Sequence, residues 1–171
     1  MTEPVIREAR PDELEAVADV IVCGYRELAE RMSPDAWQRF AGQIAGLVGS
    51  AREGQWTVLV AEVDGEVGGT VTLVTSPEGL AQGTWRLRLL AVRRDLRGRG
   101  VGTALVRRCI ELAERDPEVW RLVLTVATEM GEAGELFRSV GFARAPWLDH
   151  EAAPGMWVVG YERRVDSAGA A

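Results

Sequence analysis

The chain has 171 residues, 47% of them hydrophobic, which suits one folded domain with a substantial core and leaves little room for a second. All 20 basic residues are arginine and the net charge is −6, so no lysine is present to act as nucleophile, Schiff base or P-loop cation. No apolar run is long enough to span a membrane, and Met1-Thr2-Glu3-Pro4 lacks the basic and apolar regions of a signal peptide; a cytoplasmic location with no membrane partner is expected.

The charge is unevenly spread. Eight arginines and a single acid, Asp95, lie between Arg86 and Arg108, giving +7 there and −13 over the rest. A confined basic patch on an acidic body suits a small polyanion better than a long nucleic acid, whose backbone would meet repulsion beyond the patch. The stretch also lacks the interleaved exposed aromatics of a single-strand binder, so no nucleic-acid partner is expected. Solvation of strand and helix surfaces would account for the same arginines without any ligand. Cys23 and Cys109 fall on apolar helix faces and read as small buried hydrophobes.

In chain order, Val5 to Glu8 is a short apolar start. Pro11-Asp12 then opens an amphipathic helix carrying Leu14, Val17, Ala18, Ile21, Tyr25 and Leu28 at helical spacing, about five turns long. Ser33-Pro34 is an N-cap and first-turn proline for a second helix with Trp37, Phe40, Ile44, Leu47 and Val48 on one face, ending at Gly49. Trp56 to Val63 and Glu66 to Ser76 are strands joined by Asp64-Gly65, a type I′ hairpin dipeptide, and Gly68-Gly69 inside the second suggests a bulge or close backbone approach. After a turn-rich segment come a strand at Trp85 to Val92, a helix from Gly100 to Arg115, a strand at Val119 to Ala127, a short helix at Ala133 to Val140 and a last strand at Met156 to Arg164. The class is α+β. The strand-helix-strand unit across the basic loop is a crossover, which makes its two strands parallel in an otherwise antiparallel, hence mixed, sheet. A single domain over residues 1–166 and a disordered tail at 167–171 are expected.

The junction between Ala91-Val92 and the helix at Gly100 carries the chemistry. A strand end, a glycine- and arginine-dense turn and a helix start place several backbone N–H groups without helical partners at one point, which is an anion site. Glycine lets a pyrophosphate approach the amides, and Arg97 and Arg99 add charge-assisted hydrogen bonds. The P-loop is excluded for want of lysine. The dinucleotide fingerprint fails too, because Thr103 stands where its third glycine belongs and Val126-Ala127-Thr128 ends the next strand without an acid.

The segment Arg97-Gly98-Arg99-Gly100-Val101-Gly102 resembles the acyl-CoA loop of the GNAT superfamily, Arg or Gln, two free residues, Gly, one free residue, then Gly or Ala. Ala133, Leu136, Phe137, Gly141 and Phe142 match, with one change, the helix that ends in Gly-Phe in that superfamily. The resemblance implies a mixed central sheet flanked by helices. Its core is a cofactor unit of fourth strand, loop and third helix, with acetyl-CoA as co-substrate and no metal. Main-chain groups of Leu90, Ala91 and Val92 would pair with the pantetheine arm, and the loop from Arg97 through Gly98, Arg99, Gly100, Val101 and Gly102 to Thr103 would hold the pyrophosphate.

It further implies N-acetyl transfer by direct attack of a neutral amine, of a small molecule or peptide, in a ternary complex. Phe137 occupies the cofactor-side position where many members carry a proton-donating Tyr, so another hydroxyl or water must substitute. The strand entering the loop offers Arg86 and Arg88 where several members place a carboxylate. Candidates for the proton-handling roles are His150, the only histidine, in a loop after Trp147; Tyr161 in the last strand; and Glu62 acting through water. The acceptor pocket is expected from the first two helices and the loop around Trp147, with Tyr25, Trp37 and Phe40 either lining it or serving as core. A catalytically weak acyl-CoA-binding regulatory module is the alternative function, and a homodimer is left open.

Overall fold

In the computed structural model, residues 2–128 and 130–166 are described. The elements are β1 (Val5–Glu8), α1 (Leu14–Gly24), α2 (Arg26–Ala29), α3 (Pro34–Arg52), β2 (Thr57–Val63), β3 (Glu66–Val74), β4 (Thr84–Val92), α4 (Val101–Glu114), β5 (Arg121–Ala127), α5 (Gly131–Ser139), β6 (Ala143–Arg144), β7 (His150–Ala153) and β8 (Met156–Arg164). The eight strands form a mixed sheet in the order β1-β2-β3-β4-β5-β8-β6, with β7 on β8. As the crossover requires, β4 and β5 are parallel, whereas β1–β2 and β5–β8 are antiparallel. Among the described residues no helix is long and apolar enough to cross a membrane. The tail expected at 167–171 lies outside the described residues.

The chain falls into two compact units, Met1–Thr72 with Leu89–Leu105, and Leu73–Arg88 with Val106–Ala171. In the first, Leu14, Val17 and Ile21 of α1 pack with Ile44 and Leu47 of α3, Val58 and Val60 of β2 and Ala91 of β4. These are the helix-spaced and strand apolar positions that periodicity singles out. Ser33 caps α3, its Oγ accepting from the Ala36 N–H at 3.2 Å, with Pro34 in the first turn.

The long first helix is corrected by the structure. A 3-10 turn at Pro11–Glu13 precedes α1, and the chain leaves helical geometry at Tyr25 (φ −100°, ψ 8°) before the single turn α2. Close packing accompanies the break: a Cβ on Gly24 would stand 3.0 Å from that of Ala91. Conversely, α3 continues past Gly49 to Arg52, because a lone glycine weakens a helix by only about 1 kcal/mol and does not end it. Cys23 is exposed rather than buried; Cys109 is buried, and burial pushes its thiol up to about 12. The Asp64-Gly65 turn has positive φ at both residues. Close approach explains Gly69, where a Cβ would lie 3.0 Å from Val101 Cγ1 and 3.3 Å from the Ala91 carbonyl oxygen.

Arg7 ties β1, the 3-10 turn and β2 together, with Nη2 2.7 Å from both Glu13 Oε1 and Glu62 Oε2. Hydrogen bonding to Arg7 holds the Glu13 carboxyl down at about 2. A carboxyl whose folded pKa is depressed contributes stability that is complete above its unfolded pKa and lost as pH falls through the folded value. Wild-type Tm should therefore fall between about pH 4.5 and 2, through Glu13 among other acids. Glu13→Gln should lower Tm at pH 7 and flatten this fall in thermal melts; an unchanged acid slope in the variant would remove Glu13 from it.

In the second unit, β5 lies between the start of β4 and β8. Phe137 of α5 packs edge-on to Phe142 at 5.7 Å and against Tyr161 at 6.2 Å. The segment after α5 is more regular than the sequence suggests: β6, a 3-10 turn at Pro146–Leu148, and β7 paired in a hairpin with β8. Ala145 and Leu148 close over Val123, and Asp149 clasps the turn, accepting from Arg144 Nη2 at 2.8 Å and the Gly160 N–H at 2.7 Å. His150 thus begins a strand, opposite Val158, rather than lying in a loop.

Candidate active site

In the first unit, β4 departs from regular extended geometry at Leu89, whose φ of 54° is a conformation a branched side chain rarely adopts. Immediately after it, the Leu90 carbonyl accepts a hydrogen bond from the Tyr25 hydroxyl at 3.1 Å. Tyr25 stacks on Phe40 at 5.1 Å and Phe40 on Trp37 at 5.6 Å, so the three aromatics form one half-buried cluster. Two of them, Tyr25 and Phe40, also pack on the core.

The strand is then pinned by the Arg93 N–H, which donates to the Gly68 carbonyl at 2.8 Å, and by the Arg93 guanidinium, which bridges Glu66 and Asp95 at 3.0 and 2.8 Å. A 3-10 turn at Arg94–Leu96 follows, its buried Leu96 filling the space above Gly68. The loop itself curls through Gly98 (φ 72°) and Gly100 (φ 81°), and a Cβ at either would meet nothing within 4 Å. The backbone is therefore bent in the left-handed region with open space beside it, the geometry that presents consecutive amides to an anion.

The first α4 hydrogen bond from Gly100 is the Ala104 N–H to its carbonyl at 3.0 Å. The amides of Val101, Gly102 and Thr103 precede it and stand at the positive end of the helix dipole. Val101 and Gly102 are buried and Thr103 half-buried, while Arg97 to Gly100 are exposed. The side chain of Arg97 turns back onto protein carbonyls, with Nη2 donating to Gly24 at 3.1 Å and Nε to Val92 at 3.4 Å. Its charge thus braces the loop against the end of α1 instead of standing clear of it.

In the second unit, the parallel ladder between β4 and β5 runs only from Thr84↔Arg121 to Arg86↔Val123, although β5 continues to Ala127 along β8. Phe137 is 4% exposed, its ring in the cluster with Phe142 and Tyr161. Tyr161 is buried, with Arg138 Nη2 3.4 Å from its hydroxyl and the guanidinium groups of Arg138 and Arg144 each 5.7 Å from its ring centre. Its hydroxyl also sits against α5, where a Cβ on Gly134 would approach it to 2.6 Å.

His150 is exposed, and its Nδ1 lies 2.9 Å from the Leu148 carbonyl. In the tautomer that donates from Nδ1 to that carbonyl, Nε2 is an acceptor. Glu62, by contrast, is committed to Arg7. The structure thus brings Phe137 and Tyr161 together, and Leu90 to Val92 into the same unit as the glycine loop, while Glu62 belongs to an ion-pair cluster of its own. Sequence reasoning overlooked the inversion at Leu89 and the Tyr25 hydroxyl on Leu90. A positive φ at leucine has no sequence signal, and a tyrosine at helical spacing reads as core.

The sequence model of the acetyltransferase (GNAT) family matches residues 15–142, which include the loop, α4, β5 and α5. No curated protein matches the chain in sequence. Among solved structures, yncA from Salmonella typhimurium, solved with its cofactor acetyl-CoA, is 19% identical with a TM-score of 0.69, over 99% of this chain and 98% of that one. The paia N-acetyltransferase of Thermoplasma acidophilum, solved in complex with coenzyme A, is 14% identical with a TM-score of 0.71, over 95% and 99%. Ribosomal-protein-alanine N-acetyltransferase from Brucella melitensis is 22% identical with a TM-score of 0.66, over 94% and 99%. At these identities the likeness is one of fold, and it spans nearly the whole of each chain. With its family model matched from residue 15 to residue 142, the chain belongs to the acetyltransferase (GNAT) family.

Proposed function

We propose that the chain acts as a single N-acetyltransferase domain over residues 1–166, transferring an acetyl group from acetyl-CoA to the amine of a small molecule or peptide. The observation that carries this reading is the loop with positive φ at Gly98 and Gly100, opening onto the start of α4. Its amides from Gly98 to Thr103 would hold the pyrophosphate, and the backbone of Leu90 to Val92 would receive the pantetheine arm as an added strand.

The amine nitrogen attacks the thioester carbonyl, the C–N bond forms, the C–S bond breaks, and the thiolate takes a proton. An alkylammonium of pKa ~10.4 must first be deprotonated, which costs ~4 to 5 kcal/mol at pH 7, so a proton acceptor is required. His150 suits that role, because its Nε2 is left available when Nδ1 engages Leu148. Tyr161 supplies the hydroxyl that Phe137 lacks, since its ring packs on Phe137 and its hydroxyl reaches α5. Glu62, engaged by Arg7, is the least suited of the three. The setting is proposed to be cytoplasmic and metal-free.

Thiol release from acetyl-CoA, followed across a panel of amines, tests the reading. His150→Gln and Tyr161→Phe should each lower kcat by about 100-fold or more with the Kd for acetyl-CoA unchanged. Full activity in either variant would strip that residue of its role. Tight acetyl-CoA binding with no turnover on any amine would instead favour a regulatory acyl-CoA-binding module, to which the missing hydroxyl at Phe137 points.

A further inference from the structure

Within the second unit, strand alternation puts Thr84, Arg86 and Arg88 on one face of β4, with Arg86 opposite Val123 and Thr84 opposite Arg121. The floor beside Arg86 is apolar, since Val123 is buried with Ala145 and Leu148 and has Leu80 packed against it. Arg86 is half-buried there, and among the described residues no carboxylate pairs with it. Burial first, and then the neighbouring Arg88, push its pKa down.

Among the described residues, the acids Glu162 and Asp149 are already committed. Glu162, opposite Val123 on β8, lies 3.5 Å from Arg121 and accepts from Trp147 Nε1 at 3.3 Å, and Asp149 is clasped by Arg144 and Gly160. Elsewhere Arg7 holds two acids, Arg93 two, and Arg144 one. A guanidinium drawn out of water beside a like charge is costly unless an anion completes it. The β4–β5 ladder ends at Arg86, so the next positions on this face, Arg88 and Thr125, lie beyond it, and Arg88 stands two residues before Leu90 in the same strand.

Building on the acetyltransferase reading, we propose that the acceptor amine carries an anionic oxygen group, carboxylate or phosphate-like, which Arg86 binds through its planar fork. Arginine suits both geometries by donating two parallel N–H bonds to two oxygens. Arg86 is then a specificity-determining residue that selects amino-acid-like or aminoalkylphosphonate-like amines over plain amines.

The test is calorimetry on the full chain with two sets of probes: free amino acids and aminoalkylphosphonic acids, and their neutral counterparts, amino-acid amides and alkylamines. At least one acid or phosphonate should bind about 10- to 100-fold more tightly than its neutral counterpart, and Arg86→Gln should erase that margin while leaving the neutral probe unchanged. Arg86→Lys should recover part of it. The ligand-free Tm of Arg86→Gln should equal or exceed that of wild type, because a half-buried charge beside Arg88 is removed. Equal affinity for charged and neutral probes, no binding of either anion class at millimolar concentration, or a Tm drop with uniform loss of binding would overturn the proposal. Thiol release separates the two claims. Anion binding without turnover defeats acetyl transfer alone, whereas turnover only of neutral amines defeats the anion site alone. The carboxylate and phosphonate arms decide which group is taken.

Discussion

Gly100→Val should weaken acetyl-CoA binding by about 100-fold, equivalent to about 2.7 kcal/mol, while shifting Tm by only a few degrees. The two effects separate because of where the residue sits. At φ 81° a β-branched side chain is strained, so the loop must relax toward an ordinary backbone conformation and turn its amides away from a common centre. Nothing lies within 4 Å of the added Cβ, so no core packing is lost. Gly46→Ala in the middle of α3, another glycine with open space around its Cβ, is the control. It should leave affinity unchanged and raise stability by roughly 0.5 to 1 kcal/mol. Calorimetric titration and thermal melts on both variants check the pair; equal affinity in Gly100→Val and wild type would detach the loop from the ligand.

Gly83→Ala is the substitution expected to damage the fold most. This residue opens β4 at φ 81°, and its carbonyl accepts from the Trp120 N–H at 3.0 Å at the start of the parallel ladder. A Cβ would come within 2.5 Å of the Glu118 carbonyl oxygen and of the Trp120 ring. The backbone oxygen cannot swing aside as a flexible side chain could, so strain and collision add. A loss of about 3 kcal/mol follows, or roughly 6 to 12 °C in Tm for a chain of this size. Gly79→Ala has a similar φ of 74° with open space around it, and should cost only about 1 kcal/mol. Denaturant unfolding of the two variants separates collision from backbone strain; equal losses would show that the crowding at Gly83 is relieved at no cost.

What the sequence disclosed and what it hid divide along physical lines. Elements held by their own periodicity or caps were legible. Ser33 caps α3, Asp64-Gly65 makes its turn, and β8 runs from Met156 to Arg164 as its apolar pattern suggests. The glycine loop was legible as well, because a positive φ twice within three residues demands glycine or its few substitutes. Elements that exist through tertiary packing were not. The break at Tyr25 accompanies the close approach of Gly24 to Ala91, which no local pattern encodes. Strands β6 and β7 are held by pairing with β8 and by the Asp149 clasp, and their short sequences carry no alternation.

The same distinction governs the site. Arg97 reads as a phosphate ligand, yet its side chain donates to the carbonyls of Gly24 and Val92. Glu62 reads as a free strand carboxylate, yet Arg7 engages it from β1. Side-chain partners across the fold decide both cases, and the spacing of residues along the chain gives no access to them. Arg86 is the converse: its charge was visible at once, but its proposed role rests on its half-buried place opposite Val123, where no carboxylate among the described residues pairs with it.

The most direct test of the central claim, that the loop from Arg97 to Thr103 holds a pyrophosphate, is a calorimetric comparison of acetyl-CoA with acetyl-pantetheine on the wild-type protein. On the proposed reading both ligands would pair with the backbone of Leu90 to Val92, but only the first would bring phosphates to the amides at the start of α4. The expected result is saturable one-to-one binding of acetyl-CoA, with acetyl-pantetheine at least about 100-fold weaker. Equal affinity for the two, or no binding of acetyl-CoA at millimolar concentration, would contradict it.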